Sequence, residues 1–282
     1  MVAPAVALLT DFGTLDPYVG IMKGVMRGLG YPGPFLDLTH HIPAGDIARA
    51  AFVLWQSREA FPPETVFLVV VDPGVGTARR ALRVDIPPHR FIAPDNGVLT
   101  YLLHLAPHAR AWELREPAYQ RAQVSTTFHG RDIFAPAAAH SALGVPGPAF
   151  GPEVPLSALV RIPIPRCHGD ATRVEGEVLH ADRFGNVLTS IGRLVPQAEG
   201  WRLEPWLRQG PPRAYGSPRG VELPDGRWLP LVRTFGDVPE GEAAALVGST
   251  GLVELIVNRG SAAEALGLPR GARVTLHLEA RA

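Results

Sequence analysis

The first half of the chain alternates short apolar runs with segments in which apolar residues recur at helical spacing. The run Thr65–Val71 is β-branched and apolar on both faces, which is typical of a central parallel strand. The alternation predicts an α/β layer, here a Rossmann-like domain with helices on a largely parallel sheet. Predicted strands are Val6–Thr10, Phe35–Leu38, Thr65–Val71, Ala81–Val84 and Phe91–Ala93, and predicted helices are Tyr18–Leu29, 45–60, Val98–Leu105 and Asp132–Leu143.

The second half is built of shorter, alternating and turn-rich segments. Six prolines between 144 and 165 interrupt regular structure, so a domain boundary is expected near 165, dividing the chain into domains 1–165 and 166–282. The pattern beyond it predicts a smaller β-rich domain, similar to a barrel, and the turns within 197–232 indicate a long excursion there. Predicted strands are Val174–Leu179, Val187–Thr189, Ala243–Val247, Leu252–Val257 and Val274–Leu278.

Composition narrows the classes of partner. The 27 basic and 27 acidic residues cancel, which argues against nucleic acid as the main partner, because phosphate binding usually requires a basic excess. No apolar run approaches the roughly 20 residues needed to cross a bilayer. The first residues lack the basic region of a signal peptide, so a cytoplasmic protein is expected. The single cysteine, Cys167, excludes an internal disulfide.

Polar residues follow three of the predicted strands. Asp11 follows the first, Asp72 follows Thr65–Val71, and Asp95 and Asn96 follow Phe91–Ala93. Parallel strands that end at one edge of an open sheet place ligands in the crevice outside that edge. Each residue taken alone fits an ordinary turn or helix cap. The polar residues at all three strand ends, each beside glycines, together predict a ligand-binding site.

A second dense cluster runs from Phe128 to Asp132. Pro136 suits the first turns of a helix, which places His129 just before that helix and near the same edge. A metal site would need ligands such as His40, His41, Asp72 and His129, but no motif with metal-ligand spacing is present, and no metal is predicted. The string Asp182-Arg-Phe-Gly-Asn186, taken alone, predicts a polar hairpin turn.

Five motifs occur in order and together resemble one family, the S-adenosylmethionine (SAM) hydroxide adenosyltransferases. These proteins are relatives of the bacterial fluorinases and chlorinases, and the resemblance covers nearly the whole chain except 197–232. The motifs are Thr10-Asp-Phe-Gly with Tyr18-Val-Gly-Ile-Met-Lys-Gly, Asp72-Pro-Gly-Val-Gly-Thr, Ala93-Pro-Asp-Asn-Gly, Thr127-Phe-His-Gly-Arg-Asp-Ile-Phe and Asp182-Arg-Phe-Gly-Asn.

The resemblance implies an N-terminal α/β domain, a C-terminal barrel-like domain and a homotrimer. Each active site would lie between the N-terminal domain of one subunit and the C-terminal domain of its neighbour. The implied reaction is hydrolysis of SAM, a small-molecule substrate, to adenosine and L-methionine. No cofactor is expected, because a neutral thioether leaving a sulfonium needs neither a general acid nor a metal.

The implied catalytic trio is Asp72, Arg79 and His129, with Arg80 as the neighbouring alternative to Arg79. A carboxylate, a guanidinium and an imidazole around one water can hold charge and accept its proton, with either Asp or His as the base. The halogenases carry an aromatic residue in place of Asp72 and Tyr-Ser in place of His129-Gly130, so hydroxide is expected as the nucleophile here.

The resemblance also implies the residues that bind substrate. Asp11 corresponds to the carboxylate that takes both ribose hydroxyls, and Asp182 to the residue that holds the methionine ammonium. The fluorinase tryptophan that flanks the ligand corresponds to Gly45. The remaining implied binding residues are Asn186 at the adenine edge, Ser249 near the methionine carboxylate, Arg259 through its backbone, Tyr18, and Phe184 and Phe235 as aromatic walls unless they are plain core.

Two other functions stay open from the sequence. One is a halide-dependent adenosyl transferase, which turnover with and without chloride would distinguish from a hydrolase. The other is a protein that binds SAM or adenosine without turnover, which would retain ligand and release no methionine.

Overall fold

The computed structural model describes residues 3–281, in two compact units that divide between Pro163 and Ile164. Met1, Val2 and Ala282 lie outside the described residues. The expectation of a cytoplasmic protein rested on the N-terminal segment that includes Met1 and Val2. None of the helices within 3–281 is long and apolar enough to span a membrane.

The first unit is a seven-stranded sheet with helices packed against it. The strand order is β2-β1-β3-β5-β4-β6-β7, which confirms the predicted α/β class. The strands are β1 (Val6–Thr10), β2 (Phe35–Thr39), β3 (Val66–Val70), β4 (Ala81–Ile86), β5 (His89–Pro94), β6 (Arg110–Glu113) and β7 (Glu153–Val154). The helices are α1 (Tyr18–Gly28), α2 (Ile47–Ser57), α3 (Thr100–Leu105) and α4 (Ala135–Ala142).

Only half of this sheet is parallel. Strands β2, β1, β3 and β5 run parallel, whereas β4, β6 and β7 pair antiparallel. The reason is the two-residue connection between β4 and β5, Pro87-Pro88, because a parallel crossover needs about a dozen residues. The short strands β6 and β7 were missed by the sequence prediction, since so few residues show no periodicity.

Strand β3 is the centre of the core. All five of its residues are buried, as its apolar sequence predicts. Phe67 and Val69 face one apolar cluster, and Val66, Leu68 and Val70 face the other, so helices cover both faces of the strand. This packing holds the ends of β1, β3 and β5 rigidly side by side.

In the second unit seven strands close into a barrel, which confirms the predicted barrel-like domain. The order is β10-β17-β16-β15-β14-β18-β9, and β9 pairs with β10 to complete the ring. The strands of this unit are β8 (Cys167–Gly169), β9 (Arg173–Ala181), β10 (Val187–Thr189), β11 (Arg193–Pro196), β12 (Trp201–Glu204), β13 (Arg213–Tyr215), β14 (Pro218–Glu222), β15 (Trp228–Val232), β16 (Ala243–Val247), β17 (Val253–Val257) and β18 (Arg273–Leu278), with one helix, α5 (Ala262–Leu266).

The excursion expected over 197–232 is confirmed only for its first part, where β12 and β13 form with β11 a separate three-stranded sheet outside the barrel. This stretch carries β12 to β15, and β14 and β15 are strands of the barrel itself. The prolines in this stretch hid β14 and β15 from the sequence prediction, because proline is rare inside strands. Pro218 is the first residue of β14, and Pro230 precedes the residues of β15 that pair with β16, which are places where a strand tolerates the missing N–H.

Candidate active site

The three parallel strands β1, β3 and β5 end at one edge of the first sheet, beside a cavity of about 470 Å³. Asp11 and Asp72 line this cavity, as their positions after β1 and β3 predict. His129, from the segment before α4, lies on the same wall. Other lining residues are Phe12, Ala44, Gly45, Val70, Pro73, Val75, Thr127, Phe128 and Gly130.

Asp95 and Asn96 support this edge without lining the cavity. The Asp95 carboxylate accepts hydrogen bonds from Arg80 Nε at 2.8 Å and from the backbone N–H of Val160 at 2.9 Å. Asn96 Nδ2 donates to the carbonyl oxygen of Val71 at 2.8 Å, which anchors the backbone immediately before Asp72. The third strand end therefore positions the loop that carries Asp72.

Asp72, Arg79 and His129 form one connected group. Arg79 Nε donates to Asp72 Oδ1 at 2.9 Å and to Oδ2 at 3.0 Å, and Arg79 Nη2 contacts His129 Nδ1 at 2.8 Å. The side chains of Arg79 and Asp72 are 9% and 5% exposed. Arg79 is not among the lining residues, so it lies behind the carboxylate and the imidazole and holds both.

The choice between Arg79 and Arg80 is made by the turn that precedes them. Thr77 Oγ1 donates to the carbonyl oxygen of Gly74 at 2.7 Å and closes the turn. Gly76 has φ +78°, and a Cβ there would lie 2.5 Å from the carbonyl oxygen of Thr126, so only glycine fits. This backbone directs Arg79 towards Asp72, whereas Arg80 pairs with Asp95.

The surroundings of His129 lower its pKa and so favour the neutral imidazole. Burial, and then the charge of Arg79, lower the pKa of His129, against the opposing carboxylates of Asp72 and Asp132. A guanidinium can only donate, so Nδ1 accepts the hydrogen bond and the neutral ring carries its proton on Nε2. His129 therefore has an N–H with which to donate to a ligand oxygen.

Local structure explains how His129 reaches the strand edge. Residues Gly130–Phe134 form a π-helical turn, and α4 starts only at Ala135, three residues later than the predicted helix. A Cβ at Gly130 would lie 3.0 Å from Met22 Sδ and 3.2 Å from Phe128 Cε2, so the chain approaches closely because glycine has none.

Asp132 anchors the segment that carries His129. Its fully buried carboxylate accepts hydrogen bonds from Arg131 Nε at 2.7 Å and from the backbone N–H of Ser125 at 2.9 Å. Burial alone would raise the pKa of Asp132, but these bonds and the charges of Arg131 and Arg121 outweigh it and lower the pKa.

Asp11 and an aromatic group occupy the other side of the cavity. Asp11 Oδ2 accepts a hydrogen bond from the backbone N–H of Gly45 at 2.8 Å, which leaves Oδ1 for a ligand. The rings of Phe12 and Phe128 line the cavity, and Tyr18 packs on both, with ring centroids 5.5 Å and 5.3 Å away. The sequence prediction included Tyr18 but not the two phenylalanines, although both lie inside the quoted motifs.

The second unit holds the other predicted binding residues. Asp182 organises its own turn, because its Oδ1 accepts from the backbone N–H groups of Phe184 at 2.8 Å and Asn186 at 2.9 Å. Asn186 Nδ2 donates to Asp182 Oδ2 at 3.0 Å. The carbonyl oxygen of Gly185 accepts from Ala263 N–H at 2.9 Å, so this turn contacts the segment after β17 that includes Arg259.

Phe184 and Phe235 are not core residues, since they are 76% and 44% exposed. Ser249 is exposed in the turn between β16 and β17, at the opposite end of β17 from Arg259. Arg259 has a left-handed backbone, with φ +56°, and its exposed guanidinium pairs with Glu240 at 3.0 Å. Within 3–281, no three His, Cys, Asp or Glu side chains are grouped to hold a metal.

Comparison with known proteins identifies the family. The family model described as the SAM hydroxide adenosyltransferase N-terminal domain matches residues 6–151, and the corresponding C-terminal domain model matches residues 176–275. The chain belongs to the SAM hydroxide adenosyltransferase family. The resemblance found in the five ordered motifs is thereby confirmed, and the chain is an enzyme.

Individual members of the SAM hydroxide adenosyltransferase family are similar over nearly the full length. The chain is 44% identical to the "(R)-S-adenosyl-L-methionine hydrolase" of Thermus thermophilus, with 96% of this chain and 98% of that protein covered. It is 42% identical to the hydrolase of the same name from Salinispora tropica, with 96% and 97% covered. Fluorinases are more distant, at 28% identity for that of Actinopolyspora mzabensis, with 96% of each chain covered.

The fold is also similar to that of a solved structure over nearly the full length of the chain. The crystal structure of an uncharacterized conserved protein from Thermotoga maritima superposes with a TM-score of 0.82 at 32% identity, covering 96% of this chain and 99% of that one.

Proposed function

We propose that this enzyme hydrolyses S-adenosyl-L-methionine to adenosine and L-methionine. The observation that carries the proposal is the Asp72–Arg79–His129 group at the wall of a cavity that also holds Asp11. The names of the relatives support the same substrate, since they are hydrolases of an S-adenosyl-L-methionine epimer.

The reaction is a displacement at the ribose C5′. A bond forms between the water oxygen and C5′, the C5′–S bond breaks, and its electron pair stays on sulfur to give the neutral thioether of methionine. We assign the proton of water to Asp72, because Nδ1 of His129 already accepts from Arg79. His129 Nε2–H then orients the water oxygen. Arg79 positions both groups from behind and balances the carboxylate charge.

The rest of the cavity positions the substrate. Asp11 binds the ribose hydroxyls, and Phe12, Phe128 and Tyr18 exclude water from the reacting carbon and present ring faces to the sulfonium. From the second unit we assign the methionine ammonium to Asp182. The remaining assignments are the adenine edge to Asn186, the methionine carboxylate to Ser249, a backbone contact to Arg259, and aromatic walls to Phe184 and Phe235.

A homotrimer completes the proposal, with each site built from the first unit of one copy and the second unit of another. The exposure of Phe184 and Phe235 supports this, because aromatic walls left open in one chain need covering. A solution mass of three times 30.3 kDa is expected, and a monomeric mass with full activity would contradict it. A cytoplasmic location and independence of metals and cofactors remain predictions.

We further propose that the substrate is the (R) epimer at sulfur, the epimer in the relatives' name. Incubation with each epimer, followed by chromatography, should give equimolar adenosine and methionine from (R) much faster than from (S). Added chloride should change neither rate. A requirement for chloride would support the transferase instead, and tight retention of ligand without methionine release would support a binding protein.

Acid should inactivate the enzyme by protonating His129. Because the pKa of His129 is lowered, turnover should stay constant as the pH falls to the ordinary value of 6.5 and decline only below it. A charged imidazole cannot accept the hydrogen bond from Arg79, so the group would separate. The measurement is kcat against pH, with the Kd of adenosine at each pH as the control for unfolding. A half-maximal point above 6.5 would contradict the assignment.

A further inference from the structure

Four polar side chains behind the turn that follows β1 are connected to one another, and the reaction described above uses none of them. The buried imidazole of His40, one residue after β2, is at their centre. Its Nδ1 is 2.9 Å from Thr10 Oγ1, and its Nε2 is 3.1 Å from Asp37 Oδ1. Lys23 Nζ, on α1, donates to Asp37 Oδ2 at 2.6 Å. We call these four residues the Lys23–Thr10 network.

His40 holds the turn after β1 from both ends. Its side chain contacts Thr10, and its carbonyl oxygen accepts a hydrogen bond from Gly13 N–H at 2.7 Å. Thr10 Oγ1 also accepts from the backbone N–H of Phe12 at 3.3 Å. Asp11 lies between these contacts, so the residues before and after it are both fixed by His40.

The network begins where the backbone pairing of β1 with β2 stops. That pairing is irregular between Leu8 and Leu9, and its last pair is Leu9 with Thr39, so Thr10 has no partner residue in β2. The bond between Thr10 and His40 continues the junction one residue further. The two strands are already held together by their ladder, and what the network adds is the position of the turn beyond the strand end.

Each member of the network fixes the next one. A carboxylate can only accept hydrogen bonds, so in the neutral ring of His40 the proton is on Nε2, facing Asp37, and Nδ1 accepts from the Thr10 hydroxyl. Burial would raise the pKa of Asp37, but its contacts with Lys23 and His40 outweigh burial and lower the pKa. Asp37 is therefore a charged acceptor that Lys23 holds in place.

We propose that Lys23, Asp37, His40 and Thr10 are positioning residues that hold Asp11 in the orientation in which it binds the ribose hydroxyls. This rests on the proposed function and extends it, because the ribose is assigned to Asp11. None of the four lines the cavity, so they act through the turn and not on the substrate. A binding group has to be held within about 0.5 Å of its productive position, which requires such support from behind.

The first test compares two substitutions of Thr10, which is fully buried. Thr10→Val keeps the shape and removes the hydroxyl, so the Kd of adenosine should rise about tenfold, the size expected for a lost buried hydrogen bond. The KM for SAM should rise with it, and the kcat at saturation should change less. Thr10→Ser keeps the hydroxyl but loses a buried methyl group. It should lower the free energy of unfolding and still bind adenosine as the wild type does.

The second test acts at the far end of the network. The Lys23 side chain is 27% exposed, so Lys23→Met leaves the core intact. The Kd of adenosine should rise about threefold, as for the loss of an exposed ion pair. Arg27→Met, on the same helix, is the matched control and should leave this Kd unchanged, because Arg27 Nη1 donates to the carbonyl oxygen of Tyr31 instead. In the Asp11→Ala background Lys23→Met should have no further effect, since the group that it positions is gone.

The outcomes separate this inference from the proposed function. A wild-type protein that binds adenosine but releases no methionine would overturn the hydrolase, and the Kd values would still test the network. Unchanged adenosine binding in Thr10→Val, or an equal loss in Thr10→Ser, would overturn the positioning role. So would an equal effect of Lys23→Met with and without Asp11, because the network would then affect stability alone. A wild-type protein that binds neither adenosine nor SAM would overturn both proposals.

Discussion

Replacing Asp72 by alanine is expected to lower kcat by about 10³-fold, the middle of the range for loss of a general base. Asp72 is the group to which we assign the proton of the attacking water, and its carboxylate also fixes Arg79 by accepting hydrogen bonds from Nε and Nη2. The Kd of adenosine should change little, since Asp11 is untouched. Single-turnover release of adenosine and calorimetric binding of adenosine are the two measurements.

The control must separate catalysis from stability. Loss of one partner from a buried ion pair costs about 3–5 kcal/mol, so Asp72→Ala will also lower the free energy of unfolding. Asp95→Asn removes a carboxylate from a similar ion pair at the same sheet edge, with Arg80, but not from the cavity. It should lower stability while retaining most of kcat. If both variants lost turnover equally, the assignment of the base to Asp72 would be wrong.

Asp11→Ala should have the second largest effect, and on binding instead of turnover. The bond from Gly45 N–H leaves Asp11 Oδ1 to face the cavity, where both ribose hydroxyls would bind. Two hydrogen bonds to a charged group are worth about 3 kcal/mol, which corresponds to a rise of about 100-fold in the Kd of adenosine and in the KM for SAM. The kcat at saturation should fall much less, because these contacts persist from the ground state.

Asp182→Ala provides the matched comparison. Asp182 is assigned to the ammonium, so its loss should raise the KM for SAM and leave the Kd of adenosine unchanged. Asp11→Ala should raise both. The assignments would be overturned by the reverse pattern, or by a fall in kcat alone in Asp11→Ala, which would give Asp11 a role in the chemical step.

The fold could be predicted wherever the chain is strongly periodic. The all-apolar β3 and the helices α1 and α2 follow from local pattern, because burial on one face or two dictates which residues are apolar. Strands β14 and β15 could not be predicted in the same way. Their prolines are tolerated because of where β16 and β18 pair with them, which is a property of the closed barrel.

The candidate site could also be predicted only in part from the sequence. That Asp11 and Asp72 meet at one edge follows from their positions after parallel strands. Asp95 has an equivalent position, yet its carboxylate faces Arg80 and the backbone of Val160. Sequence position alone places a residue at a strand end but does not determine which way its side chain points.

The sequence by itself determined the family, the α/β and barrel classes, and the two acids at the strand ends, because these depend on local periodicity and on short motifs. Only the tertiary structure decided that Arg79 and not Arg80 joins Asp72 to His129, since adjacent residues diverge according to the backbone of the turn at Gly76. Contacts between residues distant in sequence arise from strand pairing and packing, which no local pattern encodes.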